Sequence, residues 1–188
     1  EPDPTRVVIA EAGTGVGKTL GYIAPASLWA RKNGGTVWLS TYTKNLQGQI
    51  DRELDRLYPD RETKHQRVVI RKGRENYLCL LNYEEAVNSR IFSSDAESGA
   101  LGLLARWIAA TRDGDMVGGD FPAWLGGLLR QSHIIGLADH RGECIYSACS
   151  HYRKCFVESA VRRARHAELV ISNHSLVMIL GARNEDIG

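Results

Sequence analysis

Apolar residues along the first seventy positions follow two alternating patterns. Short continuous apolar runs, typical of buried strands, are followed by stretches in which apolar residues recur every three or four positions, typical of helices. Gly34-Gly35 and Pro59 end the first two helical stretches. This alternation predicts an α/β fold in which helices cover a parallel sheet. The predicted strands are 7–10, 36–40, 67–71 and 169–172, and the predicted helices among them are about 18–31 and 44–58.

The interval between the third and fourth predicted strands, roughly 73–167, is too long for a single loop. Helical spacing begins near Asp95 and breaks at Asp113-Gly114, and a second helical pattern covers 121–129. We interpret these leucine and aromatic stripes as core. The chain is therefore predicted to contain the first part of one domain, a mainly helical inserted subdomain, and a return to the first domain with a helix at 175–180. These three parts are 1–72, 73–167 and 168–188.

The composition indicates a globular protein but does not identify its ligand. The 188 residues are 43% hydrophobic and 24% charged, as in globular proteins, and the net charge of +2 is too small to indicate nucleic acid by itself. No apolar run approaches the roughly 20 residues that span a bilayer, and the first residues lack a signal-peptide pattern. We therefore expect a cytoplasmic protein without a membrane partner. Few residues flank the outermost predicted elements, so we also expect a part of a larger protein.

A glycine-rich segment joins the first predicted strand to the first predicted helix. It reads Ala12-Gly13-Thr14-Gly15-Val16-Gly17-Lys18-Thr19, with Ala12 at the first glycine of the usual phosphate-binding pattern. Glycines let successive N–H groups surround phosphate oxygens, and the helix that follows adds its positive end. Lys18 would contact the outer phosphates and Thr19 would bind Mg²⁺, which predicts a site for a nucleoside triphosphate such as ATP. The alternative is an ordinary helix-opening loop.

All four cysteines lie in the predicted insertion, which is the second chemical signal. In a reducing compartment such cysteines are more typical of metal ligands or buried thiols than of disulfides. Four thiolates can hold Zn²⁺ or a [4Fe-4S] cluster, and spacing alone does not choose between these metals or exclude unconnected thiols. His140 and His151 lie nearby in sequence, but four cysteines already complete a ligand set. The cysteines are Cys79, Cys144, Cys149 and Cys155.

Taken together, these motifs resemble the first helicase domain of the DinG/XPD family of superfamily 2 DNA helicases. They occur in the family's order and extend over nearly the whole chain, although residues from about 90 to 136 are not diagnostic. The Ala-x-x-Gly-x-Gly-Lys-Thr form also resembles helicases more than kinases. The segments that carry the resemblance are 12–19, 39–47, 72–79, the later three cysteines and 171–176.

The resemblance implies a RecA-like domain interrupted by an iron-sulfur subdomain, in an ATP-driven motor that moves 5′ to 3′ on single-stranded or forked DNA and belongs to DNA repair. It favours [4Fe-4S] over zinc at the four cysteines. It also implies a second RecA-like domain and an Asp-Glu box, neither of which lies within these residues. Because hydrolysis needs both, we expect this chain alone to bind ATP and DNA without turnover.

Several residues are candidate contacts to DNA. Residues 141–165 include six Lys or Arg residues and two acidic residues, which is a local excess of positive charge. Such an excess suits binding to phosphates or, alternatively, is typical of a solvated helix face. Hydroxyls after the second predicted strand could hold phosphates or simply cap the next helix. Asn173 and His174 end the fourth predicted strand, where ligands gather in parallel sheets. The candidate DNA contacts are Thr41, Thr43, Gln47, Arg74, Tyr77, Arg153 and Lys154.

Two other functions remain open at this point. The chain could be a non-catalytic nucleic-acid-binding module with an unused loop, in which case it would bind DNA without ATP. It could instead be another P-loop NTPase with a structural zinc site, in which case it would hold zinc and have no affinity for DNA.

Overall fold

The computed structural model describes residues 7–13, 17–88, 95–128, 131–139 and 143–182. Three of the four predicted strands form one sheet, with β1 at Val37–Thr41, β2 at Val68–Ile70 and β3 at Leu169–Asn173. All pairings are parallel and the order is β1-β3-β2, so β3 is central. The predicted α/β class with a parallel sheet is confirmed.

Helices connect and cover these strands, and most lie where the sequence predicts them. α1 ends at Gly34, whose φ of 62° is the left-handed conformation that favours glycine at a helix end. α2 begins after Thr43, whose hydroxyl accepts from the Leu46 N–H at 3.2 Å. The described helices are α1 (Lys18–Asn33), α2 (Lys44–Leu57), α3 (Arg61–Arg67), α4 (Leu80–Asn88), α5 (Asp95–Ala110), α6 (Ala123–Leu128), α7 (Gln131–Leu137), α8 (Phe156–Ala164) and α9 (His174–Ala182).

Alternate residues of β3 pack into two cores on opposite faces of the sheet. Leu169 and Ile171 pack with Ile23 of α1 and Leu54 of α2 on one face. Val170 packs with Ala164 at the end of α8 on the other face. Since both faces are covered, β3 begins with a continuous apolar run, Leu169–Ile171, rather than an alternating pattern.

The long connection between β2 and β3 has a core of its own. Apolar residues from several of its helices pack together, with Leu104, Trp107 and Leu125 among the most buried. Leu78 joins this core and also forms a β-bridge with Ala138. The domain bounds at 72/73 and 167/168 remain a prediction.

The predicted first strand at 7–10 is wrong. These residues have no regular secondary structure, and Val7, Val8 and Ile9 are 81%, 86% and 93% exposed. A strand needs a neighbour to satisfy its N–H and C=O groups, and among the described residues none pairs with this run. The apolar run therefore has the composition of a strand but no strand to pair with among the described residues.

Candidate functional site

The two described ends of the glycine-rich segment meet at the start of α1. The exposed Lys18 side chain donates from its ammonium to the backbone carbonyl of Ala12 at 2.9 Å. Gly17 has a φ of 74°, a conformation that favours glycine, and no side chain caps the helix it precedes. Gly13 and Thr19 are also described, whereas Thr14, Gly15 and Val16 lie outside the described residues. The ammonium thus lies beside the first residue of the segment, at the helix end that carries a partial positive charge.

A second group of polar side chains lies at the carboxyl ends of β1 and β3, which are aligned so that Thr41 is opposite Asn173. Thr43 is exposed there and caps α2. Thr41 is buried, and its hydroxyl donates to the Ser172 carbonyl at 3.3 Å. Gln47 is 3% exposed, and its amide nitrogen has no hydrogen-bond partner among the described residues. Of these three candidate DNA contacts, only Thr43 is directly accessible.

Three further residues at this edge were not listed as DNA contacts, although the sequence placed His174 with Asn173 at a strand end where ligands gather. Ser40 Oγ and His174 Nδ1 are 2.5 Å apart, which joins the end of β1 to the first residue of α9. The Tyr42 ring lies beside the His174 ring, with centroids 6.1 Å apart and planes tilted by 51°. Sequence reasoning noted Tyr42 only within a larger motif. The available signal for Tyr42 was an aromatic residue among hydroxyl residues at a strand end.

The four cysteines are free thiols, each half-buried. Burial raises the pKa of Cys79, and the nearby Asp139 charge adds to this effect; burial likewise raises the pKa of Cys155, with a contribution from Glu158. The Tyr146 N–H donates to Cys144 Sγ at 3.4 Å.

Within the described part of the chain, no three Cys, His, Asp or Glu side chains are close enough to form a ready metal site. The donor set itself, four unpaired thiols in one subdomain, has the chemistry that iron-sulfur clusters and zinc require. His151 is engaged elsewhere, since its Nε2 lies 2.7 Å from Glu84 Oε2. His140 lies outside the described residues.

Arg74 links three parts of the insertion. Its guanidinium donates to Asp139 at 2.8 Å and to Glu158 at 3.2 Å, and it lies 4.8 Å from the centroid of the Tyr146 ring. Asp139 and Glu158 flank the cysteine segment in sequence, and Tyr146 lies within it. The contacts of Arg74 are thus internal to the protein, although it is a candidate DNA contact.

Tyr77 is also turned inward, with 3% of its surface exposed. Its hydroxyl donates to the Ile70 carbonyl at 3.3 Å and accepts from the Lys72 N–H at 3.1 Å. Burial raises the pKa of Tyr77 to about 12. By contrast, Arg153 and Lys154 are exposed in a 3₁₀ turn between Cys149 and Cys155.

The junction between the sheet and the insertion is held by charge. Lys72, just after β2, is ion-paired with Asp115 of the insertion; the Asp115 side chain is buried and the Lys72 side chain is half-buried. Arg163 of α8 donates to the Val68 carbonyl at 3.2 Å. Beside these contacts lies a cleft of about 630 Å³, with Gln47 on its sheet side and Asp113 on its insertion side.

These features define an α/β protein whose candidate ligand groups lie in a glycine-rich loop and at the carboxyl ends of parallel strands, the edge at which such folds bind ligands. A search found no family model that matches the chain. In the described part, no helix is long and apolar enough to cross a membrane.

Individual relatives are informative. The chain is 33% identical over 171 residues to the ATP-dependent DNA helicase YoaA of Haemophilus influenzae, covering 90% of the chain and 25% of that protein. It is 35% identical over 181 residues to YoaA of Escherichia coli, covering 91% and 26%. It is 32% identical over 174 residues to the 3′-5′ exonuclease DinG of Bacillus subtilis, covering 90% and 18%.

The chain belongs to the DinG family of helicases, of which it matches the N-terminal region. It spans about a quarter or less of the length of these relatives.

Proposed function

We propose that this chain is part of an ATP-dependent DNA helicase, in which residues 12–19 bind ATP with Mg²⁺. The observation that carries the proposal is identity of 31–35% over nine tenths of the chain with proteins named as ATP-dependent helicases. The contact of Lys18 with the Ala12 carbonyl supports it, because an incoming phosphate would replace that carbonyl as the partner of the ammonium. Thr19, one residue further along α1, would provide its hydroxyl to Mg²⁺.

Single-stranded or forked DNA is the proposed second ligand. Thr43, Arg153 and Lys154 are the proposed direct contacts because their side chains are exposed. Thr41, Gln47, Arg74 and Tyr77 are proposed to shape the interface from within, since each is buried or held by internal contacts. Phosphate binding of this kind is largely independent of sequence, which suits a protein that moves along DNA.

We also propose that Cys79, Cys144, Cys149 and Cys155 hold a [4Fe-4S] cluster. Such a cluster would supply a covalent brace between the two ends of the insertion. The chain's own residues prepare this arrangement: Arg74 holds both flanks of the cysteine segment, and half-burial shields the thiols from solvent.

For the longer protein, we propose unwinding in the 5′ to 3′ direction together with a second RecA-like domain, acting in DNA repair in the cytoplasm. This chain would supply the first part of a RecA-like domain (1–72), the iron-sulfur insertion (73–167) and the return to that domain (168–188). Hydrolysis would need the second domain, and we propose that the chain alone binds its ligands without turnover.

The nucleotide site is tested by titrating the chain with a fluorescent ATP analogue and Mg²⁺. Lys18→Ala removes a charge-assisted contact and should weaken binding at least tenfold. Lys32→Ala, at the other end of α1, is the matched control and should leave binding unchanged. Equal affinity of the wild type and Lys18→Ala would contradict the site and, if DNA still bound, would favour a non-catalytic nucleic-acid module.

Iron, sulfide and zinc analysis of anaerobically purified protein tests the cluster. About four iron and four sulfide per chain are expected, with loss of both in Cys149→Ser and retention in the neighbouring Ser147→Ala. Stoichiometric zinc in place of iron, together with no DNA affinity, would favour a different P-loop NTPase.

A further inference from the structure

An exposed aromatic pair lies at the carboxyl edge of the sheet. Tyr42 directly follows β1 and is 81% exposed, and His174 opens α9 directly after β3. The 6.1 Å between their ring centroids lies within the range of interacting aromatic pairs. Because so much of Tyr42 remains exposed, His174 covers only a small part of it, and a ring face is left open.

The pair is held in place from the sheet. Ser40 of β1 lies 2.5 Å from His174 Nδ1, a side-chain contact between residues 134 positions apart. This bond restricts rotation of the imidazole and directs Nε2 away from Ser40. His174 is therefore fixed to both neighbouring strands, directly to β3 and through Ser40 to β1. An exposed ring supported in this way loses little conformational freedom when a ligand binds it.

The chemistry around the pair is neutral and polar. Its neighbours in sequence are hydroxyl and amide residues, with the Asn173 side chain accepting from the Leu176 N–H at 2.8 Å and Thr43 capping α2. An open aromatic face beside hydroxyls suits a flat ring attached to a phosphate backbone, because the ring can stack while the hydroxyls face the phosphate.

We propose that Tyr42 and His174 form a stacking platform for one nucleobase of an unpaired DNA strand, with Ser40 as the residue that positions His174. The proposal rests on the proposed function, and adds to it a contact to a base rather than to phosphate. Stacking of this kind is tolerant of base identity, since every base has a flat face.

The test compares two ligands with the same number of phosphates, an oligothymidylate and an oligonucleotide of equal length that lacks bases. Binding of each to the 188-residue chain is measured by fluorescence anisotropy. Tyr42→Ala should weaken binding of the oligothymidylate about tenfold or more and leave binding of the abasic strand unchanged. Tyr42→Phe keeps the ring and should bind both strands like the wild type.

Ser40 is tested through its partner. Ser40→Ala and His174→Ala should each weaken oligothymidylate binding, and the double variant should lose no more than His174→Ala alone, because Ser40 acts through His174. Trp29→Ala is the control for an exposed aromatic residue, because Trp29 lies near the C-terminal end of α1. This variant should bind both strands like the wild type.

Equal losses on both strands in Tyr42→Ala, or a loss in Tyr42→Phe as large as in Tyr42→Ala, would overturn stacking in favour of a phosphate contact. Unchanged binding in Tyr42→Ala would overturn the platform and leave DNA binding intact. Absence of wild-type binding to either strand would overturn the platform together with the proposed function.

Discussion

Arg74 contacts Asp139, Glu158 and the Tyr146 ring within the insertion. Arg74→Ala leaves the buried Asp139 carboxylate without its cation and should lower the free energy of unfolding by about 2 kcal/mol. Arg74→Lys keeps the charge but not the two-pronged geometry and should lie between alanine and wild type. Urea unfolding measures the difference. An unchanged midpoint in Arg74→Ala would show that these contacts do not stabilise the fold.

Tyr77 gives the protein a component of alkaline sensitivity. Its pKa is raised from 10.0 to about 12 in the folded chain, so folding favours the protonated phenol. The corresponding stability is fully present below pH 10 and is lost as the pH rises from there through about 12. Tyr77→Phe cannot ionise and should show a smaller loss of stability over this window, measured by urea unfolding at several pH values. Parallel pH profiles for the two proteins would contradict this expectation.

Sequence reasoning at this scale identified residue types better than their partners. Arg74 and Tyr77 near a cysteine suggest DNA contacts, but the acidic partners of Arg74 are 65 and 84 positions away and no local pattern reveals them. The start of α1 at Lys18 was different, because the spacing of the glycine-rich segment indicates a helix start by itself. This local element was therefore predictable, whereas the long-range contacts were not.

At the scale of elements, alanine substitutions of two glycines should change the stability of the protein in opposite directions. Gly114 has a φ of 64°, and a Cβ there would overlap the Phe156 ring at the start of α8. Gly102 lies within α5 with open space at its Cβ position. Gly114→Ala should destabilise the protein by about 2 to 4 kcal/mol, whereas Gly102→Ala should stabilise it by about 0.5 to 1 kcal/mol. Thermal unfolding of both variants is the measurement, and equal midpoints would contradict the assigned packing.

Several helices with an apolar period, such as α2 and α5, were predicted, whereas α8 was missed although Val157 and Ala160 are buried in it. The helix α3 was missed for a different reason. Its sequence, Arg61–Arg67, has no apolar stripe, and no residue of it is buried. The helix is specified instead by Asp60, whose carboxylate accepts from the Thr63 N–H at 2.8 Å. The failed strand at 7–10 is the converse case, since its apolar residues lack a partner among the described strands.

At the scale of the whole molecule, the Lys72–Asp115 ion pair couples the sheet to the insertion. Asp115→Asn keeps the local turn, in which the Asp115 side chain accepts from the Val117 N–H, but removes the buried negative charge that pairs with the half-buried Lys72. We expect a loss of about 2 kcal/mol, concentrated in the insertion. Hydrogen exchange should show faster exchange at Leu104 and Leu125 with little change at Ile171. Uniform acceleration in both cores would mean that they unfold as one unit.

The α/β class followed from the sequence because strand and helix periods alternate along the first seventy residues. The strand order could not be predicted, because no local sequence pattern indicates that the last strand lies between the first two. The junction was equally hidden, because Lys72 and Asp115 are 43 positions apart.

The central position of β3 also sets the order in which the protein can be assembled during synthesis. Among the described residues, β1 and β2 do not pair with each other and each pairs with β3, which is made about a hundred residues after β2. At roughly 5 to 20 residues per second, a ribosome needs about 5 to 20 s to make that interval. During this time the insertion can already fold, whereas the sheet formed by these three strands cannot close until β3 emerges, so its formation depends on a late, long-range pairing.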